Sequence, residues 1–293
     1  MFSNMFKKPQ AEEKNLPEQV IYRSNPVNIP DQYLTSDPDD AKPISFSQLD
    51  FAESVLPEYK GCYAVVLDNV LSPSECAQLI ELAEASVMDE DKRDGSSWRP
   101  ALVNIGGGYE VEVPDYRKSD RIIWDRQDIV DRLWARMVKV PQIQEKLSVI
   151  SSADVLGPVE YDFYRVNKRM RFLKYGKGHF FKPHCDSPYG EKTDDGEGYA
   201  QTYFTVHLYL NDSQQEVGKG VDLVGGATSF LSRDNKRKLD VDPRAGRVLV
   251  FQHSRLKHSG DTVTAGTKFT VRTDILYRRR GVGIDDFEMM DDV

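Results

Sequence analysis

The chain predicts a mainly β fold with flanking helices: a jelly-roll pair of sheets buttressed by N-terminal helices. Three observations point there. From Tyr161 onward, strand-like runs fall at 161–164, 169–175, 178–186, 203–210, 248–251 and 267–276, separated by Gly, Asn, Asp and Pro clusters. Two amphipathic helical patterns precede them. Within one run, Phe204, Val206, Leu208 and Leu210 alternate with more polar neighbours, as a strand with one buried face requires.

Taken in order, residues 1–57 are polar and punctuated by Pro9, Pro17, Pro26, Pro30, Pro38, Pro43 and Pro57. They read as an extended arm that partly wraps the domain, its first dozen residues loose. Residues 62–67 (Cys-Tyr-Ala-Val-Val-Leu) read as a strand. Ser72-Pro73-Ser74-Glu75 then combines an N-cap serine, a first-turn proline and a capping-box glutamate. Cys76, Leu79, Ile80 and Ala83 give that helix its apolar stripe. Gly106-Gly107-Gly108 marks a turn; opening no strand-to-helix unit, it is no dinucleotide fingerprint. Residues 121–124 form a short strand. From Asp128, Ile129, Val130, Leu133, Trp134, Met137 and Val138 share one face of a second helix, best buried against a sheet. Residues 58–280 read as a single domain, and 281–293 as an acidic C-terminal tail.

Composition narrows the function. An apolar content of 39% with 13 Phe and 14 Tyr suffices for a large core. The net charge of −8 argues against a nucleic-acid groove, which needs a basic stripe. No apolar run approaches the roughly 20 residues that span a bilayer, and the N-terminus lacks the apolar core of a signal peptide. Cys62, Cys76 and Cys185 cannot all pair and match no zinc spacing, so a cytoplasmic protein is expected.

Chemistry concentrates around Tyr175-Gly176-Lys177-Gly178-His179-Phe180-Phe181-Lys182-Pro183-His184-Cys185-Asp186. In an extended segment His184 and Asp186 project from one face. An H-x-D pair alone is weak, because iron bound by two histidines and a carboxylate needs a third ligand. His258 can supply it, and Lys268 and Arg272 follow it by ten and fourteen residues on a strand-like run. His179, His207 and His253 are weaker candidates, although His207 could look into a barrel.

The ordered set of His184, Asp186, Gly225-Gly226, Pro243-Arg244-Ala245-Gly246, His258 and Lys268 resembles the iron(II)- and 2-oxoglutarate-dependent dioxygenases, in their prolyl 4-hydroxylase-like branch. The resemblance covers roughly residues 161–277. It implies a double-stranded β-helix holding Fe(2+) on His184, Asp186 and His258, with 2-oxoglutarate and O2 as co-substrates. It also implies that Lys268 binds the distal carboxylate of 2-oxoglutarate and that Tyr175 hydrogen-bonds it. Arg272 is either a second clamp or a partner for Asp274. The carboxylate ligand is present, so hydroxylation rather than halide transfer is expected, with release of succinate and CO2.

One departure bears on substrate. Many prolyl hydroxylases carry a substrate-holding arginine seven residues before the tyrosine that Tyr209 matches; here Thr202 stands there. A small-molecule substrate is therefore expected, an amino acid or specialised metabolite. The alternatives are a prolyl hydroxylase acting on a protein or peptide, and a silent β-barrel binding module. Residues 187–199 form a loop beside the dyad, with Tyr189 and Tyr199 as candidates to pack on substrate. Its carboxylates Glu191, Asp194, Asp195 and Glu197 are offset within the loop only by Lys192; they read either as a solvated acidic loop with no part in recognition or as a preference for a cationic substrate.

Overall fold

The computed structural model describes residues 17–106, 109–154 and 157–280. The beginning of the arm, Gly107 and Gly108 of the expected turn, and the acidic tail lie outside the described residues. Two antiparallel sheets dominate. In hydrogen-bonded order, the larger runs Ser45–Gln48, Ala64–Asp68, Val248–Gln252, Tyr199–Tyr209, Lys268–Arg279, Arg169–Tyr175, Asp120–Asp125 and Arg99–Pro100. Gly157–Val166 joins it by pairing with the distal half of Lys268–Arg279. The smaller sheet runs Lys238–Val241, Thr228–Leu231, His258–Gly260, Phe180–His184 and Arg117–Lys118. Residues of both sheets line one common cavity, which makes the pair a jelly roll.

The alternation expected over residues 203–210 holds on the strand Tyr199–Tyr209. Phe204, Val206 and Leu208 enter the main apolar core with Val65, Leu67, Val248, Val250, Val271 and Ile275. The helices Pro73–Ala85 and Gln127–Met137 cover that face with Leu79, Leu82, Ile129, Val130, Leu133 and Met137. The opposite face of the same strands presents Thr205, His207, Lys268 and Arg272 to the cavity. Period-two geometry thus separates a dry packing face from a polar working face. The strands at 228–231, 238–241 and 258–260 and the helix Pro141–Leu147 lie outside the expected elements.

The turn Pro243-Arg244-Ala245-Gly246 has a steric reason for its glycine. Gly246 sits at φ +76°, and a Cβ there would come 1.8 Å from the Leu71 carbonyl oxygen. Only glycine allows that approach. It lets Gly246 donate to the Tyr209 carbonyl while its own carbonyl accepts from Val70 N.

The first helix begins as its sequence signals. Ser72 Oγ accepts from Glu75 N, and Glu75 Oε2 accepts from Ser72 N at 2.9 Å, closing a capping box. The same Glu75 receives two 2.7 Å bonds from Arg136 of the next helix. Arg136 also donates to the carbonyls of Leu34, Ser36 and Val70, so one buried guanidinium ties both helices to the arm. Tyr33 and Leu34 of that arm are buried in the main core. Removing one partner of a buried ion pair strands the other charge. Glu75→Ala should therefore cost about 3–5 kcal/mol, against about 1 kcal/mol for loss of the cap alone in Ser72→Ala. Urea unfolding of the two variants checks this; equal losses would mean that the Arg136 pair adds nothing beyond the cap.

Candidate metal and co-substrate site

The ends of two short strands build the centre of the site. His184 closes Phe180–His184 and His258 opens His258–Gly260, and the two are register partners. Asp186 follows just beyond the first strand. His184 Nε2 lies 3.7 Å from Asp186 Oδ1 and His258 Nε2 lies 3.6 Å from Asp186 Oδ2. All three ligand atoms fall within 4.8 Å of one another. Each imidazole spends Nδ1 on a backbone carbonyl, His184 on Lys182 at 2.8 Å and His258 on Leu256 at 3.0 Å. With Nδ1 protonated, Nε2 keeps its lone pair for a metal.

The electrostatics favour the same state. Burial, helped by His258, lowers His184 to about 3. His258 is lowered too, by burial. Both rings are therefore neutral near pH 7, the form that coordinates. Burial alone would raise Asp186, but the Arg272 guanidinium outweighs it and holds the carboxyl well below the usual range. Thr205 Oγ1 also donates to Asp186 Oδ2 at 2.6 Å. Two imidazole nitrogens and a carboxylate converging from one side fit a ferrous ion and leave its far side open.

Lys268 and Arg272 lie on the Lys268–Arg279 strand, both facing the cavity, in different company. Arg272 contacts two carboxylates, Asp186 at 2.6 Å and Asp274 at 3.2 Å. Arg171 also reaches Asp274, at 3.0 Å. Lys268, by contrast, is 2% exposed, and among the described residues its Nζ donates only to the Gly226 carbonyl, at 2.6 Å. No carboxylate among the described residues pairs with it. It lies 5.1 Å from the centre of the Tyr175 ring and 5.5 Å from that of Tyr209. Burial lowers it to about 8. The Gly225-Gly226 turn permits this approach, since a Cβ on Gly226 would lie 3.0 Å from the Lys268 side chain.

The cavity between the sheets measures about 60 Å³, with Tyr175, His184, Asp186, His258, Lys268 and Arg272 all in its wall. His207 lines it as well. Its Nε2 is buried with no hydrogen-bond partner among the described residues, an orphaned polar atom on a residue of the cavity wall. His179 precedes its neighbouring strand rather than lying on it, so strand alternation does not govern it. His253 lies 3.4 Å from Asp274. Arg117 and Arg171 also line the cavity, and neither belongs to a recognisable sequence motif. Arg171 is placed by its register opposite Arg272, and Arg117 by pairing with Phe181; neither pairing is written in a local motif.

The candidate substrate residues lie elsewhere. Thr202 is 1% exposed and spends its hydroxyl on Tyr189 N, while its own N–H donates to the Tyr189 carbonyl. Tyr189 and Tyr199 are exposed and outside the cavity wall; Tyr189 Oη bonds Glu191. The loop's acids find partners across the sheet. Arg165 pairs with Glu191 and Asp194, and Arg278 with Asp195.

A family comparison agrees with this chemistry. Residues 170–273 match the 2OG-Fe(II) oxygenase superfamily, a segment that contains the metal-ligand candidates and Lys268. No curated protein matches the chain in sequence. Among solved structures, the chain is similar to a viral collagen prolyl hydroxylase from Paramecium Bursaria Chlorella virus-1, with 20% identity, TM-score 0.42, and 74% of this chain and 97% of that one covered. It is similar to a Pseudomonas putida prolyl-4-hydroxylase, with 18% identity, TM-score 0.45, and 77% and 97% covered. It is also similar to a Trichoplax adhaerens prolyl hydroxylase solved with a peptide fragment, with 16% identity, TM-score 0.48, and 77% and 88% covered. Among the described residues, no helix is long and apolar enough to cross a membrane, and all three cysteines are free. Residues 170–273 are thus a 2OG-Fe(II) oxygenase domain, and the chain is a 2-oxoglutarate-dependent dioxygenase that takes Fe(2+), 2-oxoglutarate and O2.

Proposed function

We propose that the enzyme hydroxylates an unactivated carbon of a small molecule, releasing succinate and CO2, with His184, Asp186 and His258 holding the iron. The observation that carries the assignment is the buried ammonium of Lys268, which faces the triad's cavity without a carboxylate of its own. A buried cation without a counter-ion is costly, and a dicarboxylate reaching it relieves that cost for both. Arg272 is already engaged with Asp186 and Asp274, so Lys268 is the anchor for the distal carboxylate and Arg272 the support of the metal ligand. Tyr175 flanks the ammonium, and His207 offers its orphaned nitrogen to the same space.

When bound, iron with 2-oxoglutarate supplies the oxidising power. The chain's part is to fix the ligand set, neutralise the co-substrate and keep the cavity shielded by side chains from both sheets. Thr202 supports the small-molecule reading. At the position where many prolyl hydroxylases hold substrate with an arginine, it is buried and occupied with the Tyr189 backbone. Incubation with ferrous iron, 2-oxoglutarate and either metabolite extracts or proline-rich peptides tests this. Gain of one oxygen atom by a metabolite is expected; gain by the peptides instead would make the enzyme a protein hydroxylase.

Three further outcomes follow from the site. Alanine at His184, Asp186 or His258 removes one of three protein ligands, so binding of Mn(2+) as a probe should weaken sharply and succinate formation should stop. Undiminished metal binding in any one variant would remove that residue from the ligand set. Lys268 is depressed to about 8, so its charge is present below that pH and lost above it. Affinity for 2-oxoglutarate should therefore fall as pH rises through 8, and Lys268→Arg, which stays charged, should abolish the fall. In Lys268→Ala the 2-oxoglutarate requirement should rise about ten- to hundredfold, as expected for a lost charge-assisted contact of about 1.5–3 kcal/mol. Should Arg272→Ala show this selective effect instead, the two cations exchange roles.

A further inference from the structure

The cavity holds more positive charge than metal and co-substrate require. Its wall carries Arg117, Arg171, Lys268 and Arg272. Against them stand two buried carboxylates, Asp186 in the wall and Asp274 behind it. A ferrous ion and a 2-oxoglutarate dianion cancel one another, so loading the site leaves the excess of cations unchanged.

Arg117 is the group left over. It enters from the edge of the smaller sheet, its guanidinium 4.7 Å from the centre of the Phe181 ring. Its Nε donates to Ser119 Oγ at 3.2 Å. Its two terminal nitrogens have no acceptor among the described residues, and no carboxylate pairs with it. Burial lowers it, and the neighbouring cations Arg121, Arg272 and Arg171 lower it further. Arg171 reaches the same cavity from the larger sheet and has one ion pair, to Asp274. A planar guanidinium with free N–H groups is suited to an oxyanion, which it can hold with two parallel hydrogen bonds.

We infer that Arg117, assisted by Arg171, binds an oxyanion group of the substrate, which is a small-molecule acid. The acid's charged end sits on Arg117, and Leu173 and Phe181 of the same wall pack along its apolar part. This orients a carbon towards the triad and sets the preference for an anion in the interior of the site. The inference rests on the proposed assignment of the triad to metal and Lys268 to 2-oxoglutarate.

The test uses sulfate, a weak metal ligand, as the oxyanion probe. The full chain is loaded with Mn(2+) and N-oxalylglycine, a non-reacting analogue of 2-oxoglutarate, and titrated with sodium sulfate by calorimetry at low ionic strength. One-to-one saturable binding is expected, weakened at least tenfold in Arg117→Gln and largely restored in Arg117→Lys. Normal loading followed by no saturable sulfate binding overturns the inference alone. So does equal binding by Arg117→Gln, which would make the anion adventitious, or competition between sulfate and N-oxalylglycine, which would place sulfate on Lys268. Should Arg117→Gln fail to fold, Arg117→Lys and the unsubstituted protein still decide, because undetectable sulfate binding in both overturns it. Failure of Mn(2+) and N-oxalylglycine themselves to bind would instead remove the underlying site assignment.

Discussion

Asp186 is a buried carboxylate that a guanidinium touches at 2.6 Å, and the rest of the site depends on that contact. An isolated charge in a jelly-roll interior would be neutralised or would unfold its surroundings. Arg272 answers Asp186, Asp274 answers Arg272, and Arg171 shares Asp274. Thr205 adds a hydroxyl to Asp186. The chain of charges holds the carboxylate ionised and pointed at both imidazoles before any metal arrives.

That chain is a consequence of strand register. Arg171 and His207 flank Arg272 across neighbouring strands, and Thr205 lies opposite Asp274. A slip of one residue would turn Lys268 and Arg272 into the helix-covered core and Val271 into the cavity. The apolar face prevents it. Val206, Leu208, Val271 and Ile275 are locked beneath the two helices, so packing on one side of the sheet positions charges on the other. The labour is divided between sheets: the smaller carries the two candidate metal-binding histidines, and the larger supplies most of the cations.

Much of this was legible in the sequence because it is local. The capping box, the alternating Tyr199–Tyr209 strand and the Pro-x-x-Gly turn are each written within a few residues. So is the order of His184, Asp186, His258 and Lys268. The strands at 228–231, 238–241 and 258–260 were not legible, since each is three or four residues long and is defined by its partners rather than by its own pattern. Arg117 is hidden for the same reason. In sequence it is one basic residue beside Lys118, and only its pairing with Phe181 brings it to the cavity. The contrast between Lys268 and Arg272 also needed the fold. Their parity is identical, and what separates them is that Asp186 and Asp274 converge on one of them.

The loop at 187–199 shows why charge counted along a chain misleads about charge in space. Read alone, four carboxylates and one lysine suggest attraction for cations. In the fold, Arg165 and Arg278 reach across from neighbouring strands to three of those carboxylates. The remaining imbalance is close to the surface, where salt screens it within about 10 Å. The cations of the cavity are buried or half-buried, where screening is weaker and an unpaired charge weighs more heavily. The proposed preference for an anionic substrate therefore rests on the interior, while three of the loop's acids fasten the loop to the strands beneath it.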